Sequence, residues 1–273
     1  MADITPHSRQ VVTWPDVPFV ETPQRTLTLE IRVPQCDAPP PLILYIPMAG
    51  MRQCLKTKAP WWITDYGFAI ASIDCRGSGE AIAPAAVHDC KAAVRWLRAH
   101  AAQYGYRGDT IGAWGHSAGG LLAALLGTSG GVAELEGDGP HPETSSRIQA
   151  VCDECGAPHD LAHFAEPAVQ ARFAIVEENL RLYLGGPVQE RLELARLVSP
   201  KTYIGRGMPP MLLLHGDADP LVPVEETVAF YEAIKPLCDV TLRVLPGVGH
   251  SWNADLTRAD IVSFFERVLN QTR

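Results

Sequence analysis

One serine in this sequence has neighbours that suit it for nucleophilic chemistry. Ser117 is the central residue of GHSAG, residues 115–119, which matches the pattern G-x-S-x-G. Small residues two positions on either side allow a serine to lie on a sharp strand-to-helix turn with its hydroxyl exposed. An apolar run precedes the pattern and a helical run follows it, as such a turn requires. We therefore expect Ser117 to attack a carbonyl carbon, with the helix dipole favouring the negative charge that develops.

A serine hydroxyl is a weak nucleophile, so it needs a general base and an acid that orients the base. Asp219 lies in HGDADP, residues 215–220, directly after an apolar run, and His250 lies in a glycine-rich loop after the last apolar run. We expect His250 to take the Ser117 proton and deliver it to the leaving group, while Asp219 holds the imidazole tautomer. Asp217, in the same segment as Asp219, is the alternative acid.

Strands must bring these residues to one edge of a sheet, and the sequence predicts such strands. Most are short apolar runs, typical of parallel strands buried on both faces, and one run alternates like a half-buried strand. The apolar runs lie at residues 42–46, 69–73, 110–114, 148–152, 211–214 and 240–245, and the alternating run at residues 26–33. Helical spacing of apolar residues marks residues 84–103, 224–234 and 261–268. This alternation predicts an α/β fold with right-handed crossovers and a mostly parallel sheet.

Two segments do not follow the alternation of strands and helices. The first 25 residues are rich in proline and show no period, so we expect an N-terminal arm. Residues from about 157 to 208 contain helical, proline-punctuated sequence without a strand, which is too long for a simple crossover. We interpret them as a small helical cap inserted into a single catalytic domain that spans residues 1–273.

The composition disfavours several classes of function. The chain has 273 residues with 47% hydrophobic and 20% charged residues, which suits one globular domain. Its formal net charge of −8 disfavours nucleic acids and anionic membrane surfaces, and a small molecule is the expected partner. No window of about 20 residues is apolar enough to cross a membrane. Residues 1–10 lack a signal-peptide core, so we expect a cytoplasmic protein, although a processed exported protein would look the same. We expect a monomer or a homodimer.

Other residue groups permit metal or redox chemistry, which their context disfavours. The seven cysteines are odd in number and scattered, as in a protein with reduced thiols. Cys152 and Cys155 form a C-x-x-C pair, but inside an apolar, strand-like run. His159 and His163 have helical i, i+4 spacing, but Pro158 and the missing glutamate argue against a zinc-protease motif. We expect no metal and no cofactor.

Three stretches of the sequence resemble a known family. Residues 72–81 (SIDCRGSGEA), 88–98 (HDCKAAVRWLR) and 215–220 (HGDADP) are similar to stretches of the α/β-hydrolase superfamily, in the esterase/lipase branch that includes acetyl xylan and feruloyl esterases. The resemblance runs from about residue 41 to the C-terminus. It implies the α/β-hydrolase fold, a central sheet flanked by helices, and a catalytic role for the last acid of residues 215–220, which is Asp219.

The resemblance also implies where an oxyanion hole lies. The family carries His-Gly-Gly-Gly-Trp after its third strand, whereas this chain carries PMAGM at residues 47–51. Because backbone N–H groups bind the oxyanion, we expect Ala118 to supply one donor and Ala49 or Gly50 the other. Met48 has a side chain where the family has none, and it either narrows the acyl pocket or fills a gap in the core.

Three tryptophans are candidates for the wall of the substrate pocket. Trp61 and Trp62 follow the oxyanion segment closely, and Trp252 lies two residues after His250. Tryptophan is amphipathic and common in pockets, but it is also common in cores.

The residues and the resemblance together predict a serine carboxylesterase that acts through an acyl-enzyme intermediate. Short acyl chains are expected, and acetylated or feruloylated carbohydrate is the substrate class that the resemblance implies. An amidase of the same fold, either an arylformamidase or a peptidase-like enzyme, is the first alternative. The second is a non-catalytic ligand-binding protein on this scaffold, although such proteins usually lack a triad residue and this chain has all three.

Overall fold

The computed structural model describes Pro6 and residues 9–156 and 158–270. The strands are β1 (Val11–Glu21), β2 (Thr26–Pro34), β3 (Pro41–Ile46), β4 (Met48–Ala49), β5 (Gln53–Cys54), β6 (Ala69–Ile73), β7 (Arg107–His116), β8 (Ala150–Glu154), β9 (Met211–Gly216) and β10 (Val240–Leu245). The helices are α1 (Ala85–Ala99), α2 (Ala101–Tyr104), α3 (Ala118–Thr128), α4 (Pro167–Arg172), α5 (Ala174–Leu184), α6 (Leu192–Leu197), α7 (Val224–Ile234) and α8 (Arg258–Leu269). The first five positions of the predicted arm, its positions 7 and 8, and Ala157 at the start of the predicted cap lie outside the described residues.

Eight strands form one sheet in the order β1-β2-β6-β3-β7-β8-β9-β10. The pairs β1/β2 and β2/β6 are antiparallel, and every neighbouring pair from β6 to β10 is parallel. This arrangement confirms the predicted α/β class with a mostly parallel sheet. Because parallel strands end at the same edge, the segments that follow β7, β8, β9 and β10 meet there.

The central strands are buried on both faces, as their apolar runs predict. All residues of β6, β8 and β9 are buried. Side chains alternate between two core clusters: Leu42 and Leu44 of β3 join the larger one, and Ile43 joins the smaller one. The smaller cluster also contains Trp114 and residues of α8, such as Phe265, so this C-terminal helix covers one face of the sheet.

The N-terminal segment is where the sequence prediction was wrong, because the predicted arm contains β1. This strand pairs antiparallel with β2 at the edge of the sheet, and its register shifts between Trp14 and Val17 and between Pro18 and Val20. Pro15 and Pro18 lack backbone N–H donors, which is tolerated at a sheet edge. The irregular register interrupts the two-residue alternation, so the sequence of this strand shows no clear period.

The predicted insertion is helical in the residues that the structure describes. It contains α4, α5, α6 and single-turn 3₁₀ helices, one of them at Leu161–Ala165. Val176, Leu180, Tyr183 and Leu184 recur at helical spacing along α5 and pack into the larger core cluster. A role for this segment as a cap remains a prediction. Among the described residues, every helix is too short or too polar to span a bilayer.

Candidate active site

Ser117 lies on the tight turn between β7 and α3. Its backbone angles are φ 57° and ψ −126°, and its N–H donates to the carbonyl of Glu154 at 2.8 Å. A Cβ atom on Gly115 would lie 2.2 Å from the Gly119 carbonyl group, and one on Gly119 would lie 1.9 Å from the Ile46 oxygen. These close approaches explain why glycine occupies the second position on each side of the serine.

The structure brings together the three residues that the sequence predicts as a triad. His250 Nε2 lies 2.9 Å from Ser117 Oγ, and His250 Nδ1 lies 2.7 Å from Asp219 Oδ2. Because a carboxylate only accepts, Nδ1–H donates to Asp219 and leaves Nε2 free to accept the serine proton. Ser117 and His250 are half-buried, whereas the Asp219 side chain is buried. This geometry can deprotonate a nucleophilic hydroxyl.

Asp219 is held as a carboxylate by a dense set of donors. Its Oδ1 accepts the backbone N–H groups of Leu221 at 2.8 Å and Val222 at 3.0 Å. Burial alone would raise the pKa of Asp219, but hydrogen bonds from His215, His250 and these amides hold that pKa well below its usual range. The negative charge is therefore present to stabilise a protonated imidazole.

Asp217, the alternative acid, has a different partner. It is exposed, and its Oδ1 accepts the Gly247 N–H at 2.6 Å. No described contact joins Asp217 to His250. The geometry therefore favours Asp219 as the acid next to the imidazole.

His215 is a participant to which sequence reasoning gave no role. It is fully buried at the end of β9, with Nδ1 2.8 Å from Thr227 Oγ1 and Nε2 3.3 Å from Asp219 Oδ2. Nε2 also lies 3.2 Å from the Val222 carbonyl. The Thr227 hydroxyl donates to Nδ1, so Nε2–H faces the carboxylate and the carbonyl. A histidine that ends an apolar strand needs polar partners, and that signal was present in the sequence.

His116 and Cys155 lie beside the imidazole of His250. His116 Nε2–H donates to the His250 carbonyl at 2.8 Å, and the two ring centroids are 5.1 Å apart. Burial, with a smaller contribution from the charge of His250, lowers the pKa of His116 and keeps this ring neutral. Cys155 Sγ lies 3.3 Å from His116 Nε2. His116 therefore fixes the backbone that carries the proposed base.

The same three side chains form the one group, among the described residues, whose ligand atoms are close enough to hold a metal ion. The ligand atoms of His116, Cys155 and His250 all lie within 4.8 Å of one another. Nitrogen and sulfur ligands of this kind suit Zn²⁺. A metal ion bound there would be coordinated by His250, whose imidazole otherwise contacts Ser117.

The backbone groups predicted to form an oxyanion hole come from two adjacent segments. Ala118 is the first residue of α3, so its N–H has no acceptor within the helix. Ala49 lies in β4, which pairs with β5 to form a hairpin over residues 48–54, and Gly50 lies in the turn with φ 54°. A Cβ atom on Gly119 would lie 3.4 Å from the Met48 nitrogen, so the 48–54 hairpin packs against the start of α3.

Met48 itself faces the core. Its side chain is only 2% exposed and belongs to the larger core cluster. Of the two options left by the sequence, these contacts support the core-filling one. A pocket role for Met48 remains a prediction.

The three candidate pocket tryptophans have different surroundings. The Trp252 ring lies 5.7 Å from the His116 ring and also packs against the smaller core cluster. Trp61 packs under the Arg32 guanidinium at 3.9 Å, and Trp62 packs edge-on against Trp114 at 5.7 Å. No described contact joins Trp61 or Trp62 to Ser117. Their pocket roles remain predictions, and their contacts support packing on the face of the sheet that α8 covers.

The residues of the other groups considered for metal or redox chemistry have separate partners in the fold. Cys152 is buried in the smaller core cluster, whereas Cys155 contacts His116, and both are free thiols. His159 Nε2 lies 2.7 Å from Asp153 Oδ2, and His163 Nδ1 lies 2.7 Å from Glu226 Oε1. Each of these histidines thus has its own carboxylate partner.

Comparison with known proteins places the chain in a family. The BD-FAE family model matches residues 34–234, well over half of the chain. Esterase LipC of Mycobacterium tuberculosis is 27% identical over 253 residues, which cover 90% of this chain and 60% of LipC. The solved structure of a bifunctional GH43-CE protein of Bacteroides eggerthii superimposes with a TM-score of 0.81 at 30% identity, covering 93% of this chain and 38% of that chain.

A second solved structure matches over nearly its full length. A truncated form of a carbohydrate esterase from gut microbiota superimposes with a TM-score of 0.79 at 28% identity, covering 97% of this chain and 98% of that one. By contrast, this chain spans less than two thirds of LipC and of the Bacteroides protein. The chain belongs to the BD-FAE family of α/β-hydrolase esterases.

Proposed function

We propose that this chain is a serine carboxylesterase that hydrolyses short-chain acyl esters through an acyl-enzyme intermediate. The observation that carries the proposal is the position of His250, whose two ring nitrogens lie 2.9 Å from Ser117 Oγ and 2.7 Å from Asp219 Oδ2. Family membership and the esterase names of the relatives support the same activity.

The first half of the reaction acylates the serine. Ser117 Oγ bonds to the ester carbonyl carbon while His250 Nε2 takes the hydroxyl proton, and the carbonyl electron pair moves onto oxygen. The N–H of Ala118 and that of Ala49 or Gly50 donate to this oxyanion, and each such donor contributes roughly 3–4 kcal/mol. The carbonyl then re-forms, the bond to the alcohol breaks, and the alcohol leaves with the proton from His250.

The second half releases the acid. Water attacks the acyl-enzyme carbonyl while His250 Nε2 accepts a water proton, and the same backbone donors bind the second oxyanion. Collapse breaks the bond to Ser117 Oγ, which regains its proton from His250. Throughout, Asp219 stabilises the imidazolium, because its pKa lies well below the usual range.

The substrate class proposed here is a small ester, with acetylated or feruloylated carbohydrate as the natural form. One of the similar structures is named a carbohydrate esterase, which supports a carbohydrate alcohol. A cytoplasmic location and a monomeric or homodimeric state are further predictions from the sequence.

Turnover of p-nitrophenyl esters from acetate to octanoate, with a matched p-nitroanilide, tests the proposal. We expect acetate and butyrate to be cleaved fastest, with little anilide cleavage, and Ser117→Ala to lose about six orders of magnitude in kcat. Comparable cleavage of ester and anilide would favour the amidase alternative. Retained turnover in Ser117→Ala would show that another residue is the nucleophile.

A further inference from the structure

Three thiols that the proposed mechanism does not use lie close together at the end of the 48–54 hairpin and in the segments packed beside it. Cys54 Sγ and Cys75 Sγ are 2.9 Å apart, and Cys75 also shares a hydrogen bond with Cys90. Cys54 lies on β5, in register with Met48 on β4, and it is partly exposed. Cys75 and Cys90 are fully buried. The pair Cys54 and Cys75 therefore includes one residue, Cys54, that is partly accessible to solvent.

Ion pairs and backbone contacts position the segments that carry Cys54 and Cys75. Cys75 lies in the loop after β6, between Asp74, which pairs with Arg25, and Arg76, which pairs with Asp89 at 2.6 Å. The loop also packs directly on the hairpin. The Ser78 N–H donates to the Met51 carbonyl at 2.8 Å, and a Cβ atom on Gly77 would lie 1.9 Å from the Arg52 oxygen.

The two sulfurs need to approach by less than about 1 Å to reach the bond length of a disulfide. We propose that Cys54 and Cys75 are an oxidative modification site, and that a peroxide converts them to a disulfide that ties the 48–54 hairpin to the loop after β6. Oxidation of this pair does not involve Ser117, Asp219 or His250, so the proposal is independent of the proposed function. It assigns a covalent state to a pair that is free in the structure.

The reaction balances with hydrogen peroxide as the oxidant. The Cys54 thiol first releases its proton to solvent; its thiolate then attacks one peroxide oxygen, the O–O bond breaks, and the hydroxide that leaves takes up a proton, so the products are a sulfenic acid and water. The Cys75 thiolate then attacks the Cys54 sulfur, the S–S bond forms, the S–O bond breaks, and the hydroxide that leaves takes up the proton released by the Cys75 thiol to give a second water. Two thiols lose two electrons in total, and one peroxide is reduced to two waters.

The surroundings of the pair control the rate of this reaction. The hydrogen bond with Cys75, together with burial, raises the pKa of the Cys54 thiol well above its ordinary value. Because the thiolate is the reacting form, oxidation is slow at neutral pH and accelerates under alkaline conditions. Cys54 is the residue of the pair that is not fully buried, so we expect peroxide to react with it first.

Peptide mapping of the full chain tests the proposal. The protein is treated with hydrogen peroxide at pH 7 and pH 9, unfolded, and alkylated with N-ethylmaleimide before digestion and mass spectrometry. We expect a cross-linked peptide joining Cys54 and Cys75, formed faster at pH 9 and removed by dithiothreitol. Cys54→Ser and Cys75→Ser should each abolish it, and Cys90→Ser should keep it.

A second readout covers the case in which a serine variant fails to fold. Thermal unfolding of the oxidised wild-type protein should occur at higher temperature than that of the same sample after dithiothreitol, because a cross-link restricts the unfolded chain. All seven thiols remaining alkylatable after peroxide would overturn the proposal. So would a cross-link between Cys75 and Cys90, or oxidation of Cys54 to a sulfinic acid without any cross-link.

Discussion

At Asp219, two histidines share one carboxylate oxygen. His250 Nδ1 lies 2.7 Å from Oδ2 and His215 Nε2 lies 3.3 Å from the same atom. His215 is itself oriented by Thr227, which is also buried. Although His215 does not contact Ser117 in any described bond, this chain of donors fixes the direction in which Asp219 holds the imidazole. We therefore regard His215 as a positioning residue.

Replacing His215 should weaken catalysis through Asp219. His215→Leu removes the donor, and we expect kcat/KM for p-nitrophenyl acetate to fall by about 10-fold or more, as for other residues that orient a functional side chain. His215→Gln keeps an N–H donor and should recover most of that loss. Steady-state kinetics on proteins checked for folding by circular dichroism provide the measurement.

The same pair of substitutions can be placed in an Asp219→Ala background as a double-mutant cycle. If His215 acts through Asp219, His215→Leu should cause little further loss there, because the group that it positions is absent. An undiminished loss in that background would mean that His215 supports the fold and not the carboxylate.

At the scale of elements, the turn between β7 and α3 is an example of a structure that could be predicted from the sequence. The G-x-S-x-G pattern records local crowding: the space beside Gly119 is filled by the Ile46 carbonyl of β3. Such crowding requires small residues at fixed positions around the serine, so the turn can be recognised from a single sequence. The 48–54 hairpin was not predicted, because its turn uses Gly50 and Met51 at positive φ and its packing depends on α3 and the loop after β6.

A methyl group at Gly119 should disrupt this turn. In Gly119→Ala the new Cβ would collide with the backbone oxygen of Ile46, which no side-chain rotation can relieve. We expect a loss of about 1–3 kcal/mol in the free energy of unfolding, typical of overpacking. We also expect a fall in kcat of about 100-fold, because catalytic groups misplaced by about 1 Å lose that much.

Gly79→Ala is the matched control, because a Cβ there meets nothing within 4 Å. Its melting temperature and kcat should equal those of the wild type. Wild-type turnover in Gly119→Ala, or an equal loss in both variants, would mean that the turn is less crowded than the structure shows.

For the whole molecule, the sequence was a good guide to the interior and a poor one at the edge of the sheet. Buried parallel strands such as β6 and β9 have continuous apolar runs, and these predicted the sheet and the edge where Ser117, Asp219 and His250 meet. The edge strand β1 depends on pairing with β2, and its prolines and shifted register hide that pairing. The role of His215 was not predicted, because it depends on a contact with Thr227, twelve residues away on α7.

The interior also contains a titrating group that affects stability. Glu154, at the end of β8, is buried, and its Oε2 accepts the Trp114 indole N–H at 2.9 Å. Burial raises the pKa of Glu154 to about 7. The folded protein therefore binds more protons than the unfolded chain between the ordinary glutamate pKa of about 4.3 and pH 7. In this window stability falls as pH rises, by roughly 4 kcal/mol in total for this group.

Glu154→Gln removes this titration and keeps an acceptor for Trp114. We expect the variant to gain stability relative to wild type at pH 8 and to gain much less, or nothing, at pH 5. Chemical denaturation at both pH values gives the two free-energy differences. An equal difference at both pH values would mean that Glu154 does not titrate in this range in the folded protein.

The central claim is that Ser117 is the nucleophile that becomes acylated. The most direct test is to treat the protein with diethyl p-nitrophenyl phosphate, which leaves a stable phosphoryl group on an activated serine, and to map the labelled residue by mass spectrometry. We predict one label per chain, on Ser117, with loss of ester turnover in proportion to labelling and no label in Ser117→Ala. A label on another residue, or full turnover in a fully labelled protein, would contradict the account.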